Sequence, residues 1–200
     1  MNETINNISL EALKKGDREE FTRLVDETSS HIYNLILRIL GNPQDAEDVL
    51  QDSYIKAFHA LPEFEGRSSL KTWLYRIAVN EALMSVRRRK PESIPVEEPD
   101  LDEDAESKGM EIVDWCCLPE DELLSSESRR FLDQAVLHLT PGLRAVFVMR
   151  DLEGFSVQET VEALNVSESV VKTRLLRARL ALRQELSVYY GVRLQELRRR

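Results

Sequence analysis

Lys172, Thr173, Arg174 and Arg177 fall within six consecutive positions. A guanidinium fork can take guanine O6 and N7 bidentately, and an ammonium or hydroxyl can reach a base or a phosphate. The four sit in VSESVVKTRLLRARLALR, Val166 to Arg183, where Arg179 and Arg183 add further cations. A solvated surface helix could carry the same arginines, so the surrounding elements decide between the two readings.

Those elements have the spacing of a helix-turn-helix. Ser156 and Glu159 form a capping box for a helix over SVQETVEAL. Asn165 suits a left-handed turn, and Ser167 caps the next helix. Val157, Thr160, Val161 and Leu164 face inward from the first helix, and Val170, Val171, Leu175 and Leu182 from the second. Ser169, Lys172, Thr173, Arg174, Leu176 and Arg177 then occupy the exposed N-terminal half of the second helix. A recognition helix reads base edges in the major groove with that half. Upstream, SSESRRFLDQAVLHL reads as a helix, and Thr140-Pro141 begins another through PGLRAVFVMRDL, stopped at Gly154.

A second constellation is FEGRSSLKTWLYRIAVNEALMSVRRRK. At 100° per residue, Trp73, Arg76, Asn80, Leu83 and Arg87 share one side of a helix, while Leu70, Leu74, Ile77 and Met84 face a core. An aromatic, an amide and cations together suit a single DNA strand: stacking, a base edge and phosphates. A tryptophan beside an apolar stripe also suits a core.

The third is NPQDAEDVLQDSYIKAFHAL, where Asp45, Glu47, Asp48, Gln51 and Asp52 crowd a helix start. Acid there complements the helix dipole; it could equally form a docking face for a basic partner. Before it, Asp17 is an N-cap with Glu20 at the capping-box position, and Phe21, Leu24, Val25, Ile32, Leu35, Ile36 and Ile39 follow on one face up to Gly41. Pro62 and Gly66 mark a loop, and Ser68 or Ser69 caps the helix that Pro91 stops.

The net charge of -9 is unevenly placed. Residues 91–122 carry -12, residues 1–90 carry -1, and residues 123–200 carry +4. The acidic stretch holds four prolines and lacks helical periodicity, so it reads as a flexible linker. The expected architecture is all-α: a helical bundle over 1–90, the acidic linker over 91–122, and a four-helix domain with a helix-turn-helix over 123–200.

Other chemistries find little support. His31, His59 and His138 share no ligand spacing, and Cys116-Cys117 is not a C-x-x-C, so no zinc site is expected. Asp100, Asp102, Asp104 and Glu111 match part of a calcium loop, but Ala105 stands where glycine must turn the chain. There is no phosphate-binding glycine loop or nucleophile elbow. The chain is expected to perform no covalent chemistry and to need no cofactor or metal. No apolar run approaches the roughly 20 residues that span a membrane, and MNETINNISLEALKKGD lacks the form of a signal peptide. Adjacent cysteines fit a reducing cytoplasm.

Three stretches in this order resemble an extracytoplasmic-function (group 4) sigma factor of bacterial RNA polymerase. DAEDVLQDSYIKAFHAL is similar to the family's core-binding helix, FEGRSSLKTWLYRIAVNEA to its promoter-melting stretch, and LTPGLRAVFVMRDLEGFSVQETVEALNVSESVVKTRLLRARLALR to its second domain. The resemblance covers nearly the whole chain apart from the linker.

It implies that Asp45, Glu47, Asp48, Gln51 and Asp52 dock on the clamp helices of the polymerase's largest subunit. It places Phe64, Arg67, Ser68, Lys71, Trp73, Arg76 and Asn80 at the minus-ten element, where a flipped base enters a pocket formed by the Phe64–Lys71 loop and Asn80. Ser169, Lys172, Thr173, Arg174, Leu176 and Arg177 would read the minus-thirty-five element. Arg67 stands at a loop position that is acidic in some relatives. The implied partners are core polymerase, promoter DNA as duplex and melted strand, and an anti-sigma factor. An autonomous helix-turn-helix regulator and a pure sequestering protein are the alternatives. The linker reads either as a solvated spacer or as an RNA-like polyanion in the polymerase cleft.

Overall fold

The computed structural model describes residues 8–89 and 126–197. The acidic segment, both cysteines, the partial calcium pattern and both expected domain boundaries lie outside the described residues. Every regular element among the described residues is helical.

A short helix, α1 (Leu10–Lys14), precedes the first long one and was not expected from the sequence. Ser9 caps it, and Leu13 is buried beneath it. In α2 (Arg18–Leu40), the Asp17 carboxylate accepts the amides of Glu19 and Glu20 at 2.9 and 3.1 Å. The expected capping box is not reciprocal. Glu20 instead accepts the backbone N–H of Ser9, tying α1 to α2. Gly41 ends α2 in the left-handed conformation (φ 75°), its N–H donating to Leu37.

Asn42 then caps α3 (Pro43–Ala60), with Pro43 in the first turn where a missing N–H costs nothing. Ser69, of the two expected serines, accepts the Thr72 amide at 3.0 Å to start α4 (Leu70–Arg89). Leu24, Ile32, Leu35, Ile36 and Ile39 of α2 pack with Ala46, Val49 and Ala57 of α3 and Leu74, Ala78, Val79 and Ala82 of α4. Inside this bundle the hydroxyls of Thr28 and Tyr54 share a 2.6 Å hydrogen bond.

The second unit comprises α5 (Ser126–His138), α6 (Pro141–Phe147), α7 (Val157–Leu164) and α8 (Glu168–Leu197). Thr140 occupies the cap position of α6 but its side chain makes no cap bond. The expected helix through Leu152 changes to a wide π-helical turn at Val148–Leu152. Both its Glu153 N–H to Val148 C=O bond and the Arg150 guanidinium on the Phe155 carbonyl close that turn. α7 and α8 pack against each other, and α5 and α6 pack on α8.

The apolar core continues from one unit into the other. α4 lies against α7, and α2 lies against α5 and α6.

Candidate nucleic-acid interface

Helix α3 builds the first face. Asp48, Gln51 and Asp52 are exposed and lie at i, i+3 and i+4, on one side of the helix. Glu47 is exposed beside them. Asp45 is drawn away: its carboxylate is ion-paired with the Arg89 guanidinium at the end of α4. Ile55 continues the stripe and is 56% exposed, an uncovered aliphatic side chain in an acidic surround. The carboxylate–Arg89 pair leaves Asp48 and Asp52 as the unpaired acids nearest Ile55 among the residues expected to dock.

The second face lies at the start of α4. Gly66 (φ 76°) bends the loop that leads into it. Phe64 and Trp73 are both buried, their rings 5.1 Å apart, with the Lys14 ammonium 6.0 Å from the Phe64 ring. Trp73 therefore offers no free face to a base in this conformation. Arg67 is exposed and paired with Glu65, and Ser68 is half-buried. Arg76 and Asn80 are exposed, and Arg87 and Arg88 extend the basic surface beyond them. Met84, expected to face the core, is 41% exposed. Its position four residues after Asn80 puts it on the Arg76–Asn80 stripe.

Lys71 is half-buried, its ammonium 5.6 Å from the Tyr75 ring and 5.9 Å from the Phe155 ring of the second unit. Burial pushes the Tyr75 hydroxyl far above its ordinary value, with Glu153 and Tyr54 adding to it. Tyr54 is pushed up to about 12, mainly by burial, although the Thr28 hydroxyl counters it.

The third face is the helix-turn-helix. The Ser156 hydroxyl accepts the Glu159 N–H at 3.1 Å, and Glu159 accepts the Ser156 N–H at 2.8 Å, as the sequence predicts. Asn165 is left-handed (φ 52°, ψ 48°). Ser167 caps α8 through the Val170 N–H. Thr160, Val171, Leu175 and Leu182 are buried.

Outward, Ser169 and Lys172 are exposed, Thr173, Arg174 and Arg177 are partly exposed, and Leu176 is 59% exposed. The Lys172 ammonium pairs with Glu168 at 2.6 Å, and that hydrogen bond holds the Glu168 carboxyl below the usual range. Arg179 does not join this surface. Its Nε and Nη2 grip the Asp151 carboxylate at 2.8 and 2.7 Å, pinning α8 to the π turn and raising its own pKa.

Among the described residues, no group of three His, Cys, Asp or Glu side chains could hold a metal ion. No helix among them is long and apolar enough to cross a membrane.

Residues 24–92 match the model for Sigma-70 region 2, and residues 130–182 match that for Sigma-70, region 4. The chain is 36% identical over 184 residues to the ECF RNA polymerase sigma factor SigW of Bacillus subtilis (strain 168), covering 88% of this chain and 94% of that one. This chain belongs to the ECF sigma factors.

A relative from Haemophilus influenzae, its ECF RNA polymerase sigma-E factor, is 34% identical over 174 residues, with 85% and 89% covered. The fold matches a structure of CnrH in complex with the cytosolic domain of CnrY (TM-score 0.63, 22% identity, 90% of this chain and 95% of that one). It also matches the sigma factor RpoE from Bartonella quintana in complex with the anti-sigma factor NepR (TM-score 0.61, 22% identity, 85% and 98% covered). Two regions in this order, rather than one helix-turn-helix module, favour a sigma factor over an autonomous regulator.

Sequence reasoning about this sigma factor missed three side chains. Ile55 was legible from the period of 3.6, since it follows Asp48 by seven and Asp52 by three. Met84 sits at a boundary angle between stripes, which residue type alone resolves wrongly. The commitment of Arg179 to Asp151 has no local signal, because the acid lies 28 residues upstream.

Proposed function

We propose that this sigma factor docks on core polymerase through the α3 stripe of Asp48, Gln51, Asp52 and Ile55, with Glu47 at its margin and Asp45 acting through Arg89. The observation that carries this is the open apolar residue within an acidic stripe. Interfaces concentrate binding energy in such a desolvated anchor, while the charged rim steers encounter and sets register.

Promoter recognition divides between the two basic faces. Arg76, Asn80 and the loop Phe64–Lys71 take the melted minus-ten strand; Asn80 supplies donor and acceptor to a base edge, and Arg76 and Lys71 neutralise phosphates. Ser169, Lys172, Thr173, Arg174 and Arg177 read the minus-thirty-five duplex, and Leu176 supplies an apolar contact for a thymine methyl. Each face alone is small, so tethering both on polymerase raises occupancy through effective concentration. The chain selects and opens promoters without covalent chemistry of its own, and it works in the cytoplasm beside its polymerase. An anti-sigma factor is a further partner, a reading supported by the family and by the solved complex of RpoE with NepR.

The test is run-off transcription on fragmented DNA from the source genome, with core polymerase and with or without the chain. New 5′ ends sharing two upstream elements are expected. Asp48→Lys with Asp52→Lys should abolish binding to core and the new starts together. Core binding that survives both reversals would remove α3 as the docking face.

A further inference from the structure

We propose that α1 is a working part of the minus-ten site: Leu13 seats the loop that begins at Phe64, and the Lys14 ammonium takes a phosphate of the melted strand there. The assignment rests on the placing of that strand at the Phe64–Lys71 loop, and deepens it.

Helix α1 (Leu10–Lys14) lies ahead of residues 24–92, which carry the match to Sigma-70 region 2. It is nonetheless tied to the bundle at both ends. Ser9 caps its start, and the Ser9 N–H donates to Glu20 of α2. At its other end the Gly16 N–H donates to the Leu13 carbonyl at 3.0 Å, and the Asp17 N–H donates to the Ala12 carbonyl at 3.1 Å. With Gly16 left-handed (φ 79°), these are the paired bonds of a Schellman stop. Asp17 is itself the cap of α2. The path of the chain from Lys14 into α2 is therefore fixed by backbone bonds.

This anchored helix packs on a single 3₁₀ turn at Leu61–Glu63, and the residue after that turn is Phe64. The Phe64 N–H donates to the Leu61 carbonyl at 3.1 Å. Leu13, the residue that α1 buries, and Leu61 are each 1% exposed, and Phe64 and Trp73 are 6% and 7% exposed. Rings so enclosed offer no face to a base. They serve instead as the fixed root of the exposed residues Glu65, Gly66 and Arg67 that follow. Removing an apolar side chain beneath such a root leaves a cavity into which its neighbours relax, so Leu13 is a positioning residue for the loop.

Charge at the loop calls for a cation from outside it. Between Leu61 and Ser69 stand two exposed carboxylates, Glu63 and Glu65, against one guanidinium, Arg67, which is paired with Glu65. A phosphate brought to that stretch meets net negative charge. Lys14 supplies the opposing charge. Its ammonium lies 6.0 Å from the centre of the Phe64 ring, at the outer limit of attraction between a cation and a ring face. A contact at that range is weak, so the ammonium can leave the ring for a phosphate. An ammonium binds phosphate as a point charge and reads no base. Lys14 therefore adds affinity for the melted strand, whatever its sequence, while Asn80 reads a base edge.

The test uses holoenzyme and two templates cut from a promoter that the chain transcribes. One is duplex through the minus-thirty-five element and single-stranded across the minus-ten element; the other ends before the single strand. Lys14→Met keeps an unbranched side chain and removes the charge. It should weaken binding to the first template about fivefold at about 0.1 M salt and make log K against log salt shallower by about 0.7, the value of one single-strand phosphate. Binding to the second template should not change, and Lys14→Arg should restore both affinity and slope. Leu13→Ala should also weaken the first template alone. Equal losses on both templates would show a general fold defect and overturn the role of Leu13. An unchanged salt slope in Lys14→Met would overturn the role of Lys14. Asn80→Ala separates this proposal from the reading beneath it. If Asn80→Ala weakens the first template and Lys14→Met does not, the strand lies on the loop without help from α1. If neither does, or if the chain starts no transcripts, the placing of the strand falls and this proposal falls with it.

Discussion

The pair between Lys172 and Glu168 sets how much of the recognition helix is available to DNA. Both residues are exposed, so the pair adds little to folding, but it occupies a cation on the face proposed to meet the duplex. Glu168→Ala should free the ammonium for a phosphate while leaving the melting temperature unchanged. Holoenzyme binding to a minus-thirty-five duplex should then tighten, and the slope of log K against log salt should steepen by about 0.9, one phosphate contact. An unchanged slope would mean that Lys172 already leaves Glu168 when DNA arrives.

The same residues show what sequence can reveal at this scale. That Lys172 and Glu168 are neighbours follows from i, i+4 spacing, and the exposure of Ser169 and Leu176 follows from the helical period. The pairing of Arg179 with Asp151 and the three carbonyls on Arg144 do not follow, because only folding brings those groups together. Composition treats all these arginines alike; the structure separates those that hold the protein from those that face outward.

Among the elements, most caps were legible, although Glu20 closes no box with Asp17 and Thr140 makes no cap bond. Ser156, Glu159, Asn165, Gly41 and Ser69 act within four residues of themselves, so their chemistry is written locally. Helix α1 was missed because five residues give no period, and it exists through Leu13 packing and the Glu20 bond to Ser9. The π turn was missed because its sequence, VMRDL, is ordinary helix-forming sequence, and the Arg150 contact to the Phe155 carbonyl that accompanies it has no local signal.

Two tests belong to this scale. Asn165 sits at φ 52°, where a β-branched side chain is strained. Asn165→Val should therefore cost about 1–2 kcal/mol, and Asn165→Gly much less, as read by chemical denaturation. The capping box should show itself in pH dependence. Burial raises the Glu159 carboxyl, but the Ser156 N–H and hydroxyl, the Thr72 hydroxyl and the Lys71 charge outweigh it and leave its pKa below the usual 4.5. A depressed carboxyl stabilises the fold above 4.5 and loses that contribution as pH falls through its folded value. The melting-temperature advantage of the native chain over Glu159→Gln should be full at neutral pH and vanish in acid. An advantage independent of pH would show that shape, not charge, holds the cap.

For the whole molecule, the decisive feature is an apolar core shared by two units that the sequence presents as separate. The charge division into -1, -12 and +4 separates two helix-forming stretches of the sequence, but no periodicity reports that α2 lies against α6 or α4 against α7. A shared core makes unfolding cooperative across the seam. Slow amides of α2, α6 and the first half of α8 should therefore exchange with one common opening free energy. Arg144 is the place to break that coupling. Burial pulls its guanidinium pKa below the ordinary arginine value, yet it is held by carbonyls of both units. Arg144→Gln cannot satisfy all three of these part-buried carbonyls, and a fully buried one left unpaired would cost about 1–3 kcal/mol. The second unit should then open at a lower free energy than the first, giving two levels of protection where the native chain shows one. Two levels already present in the native chain would mean that the seam is too weak to couple the units, and that the core, though continuous, is not cooperative.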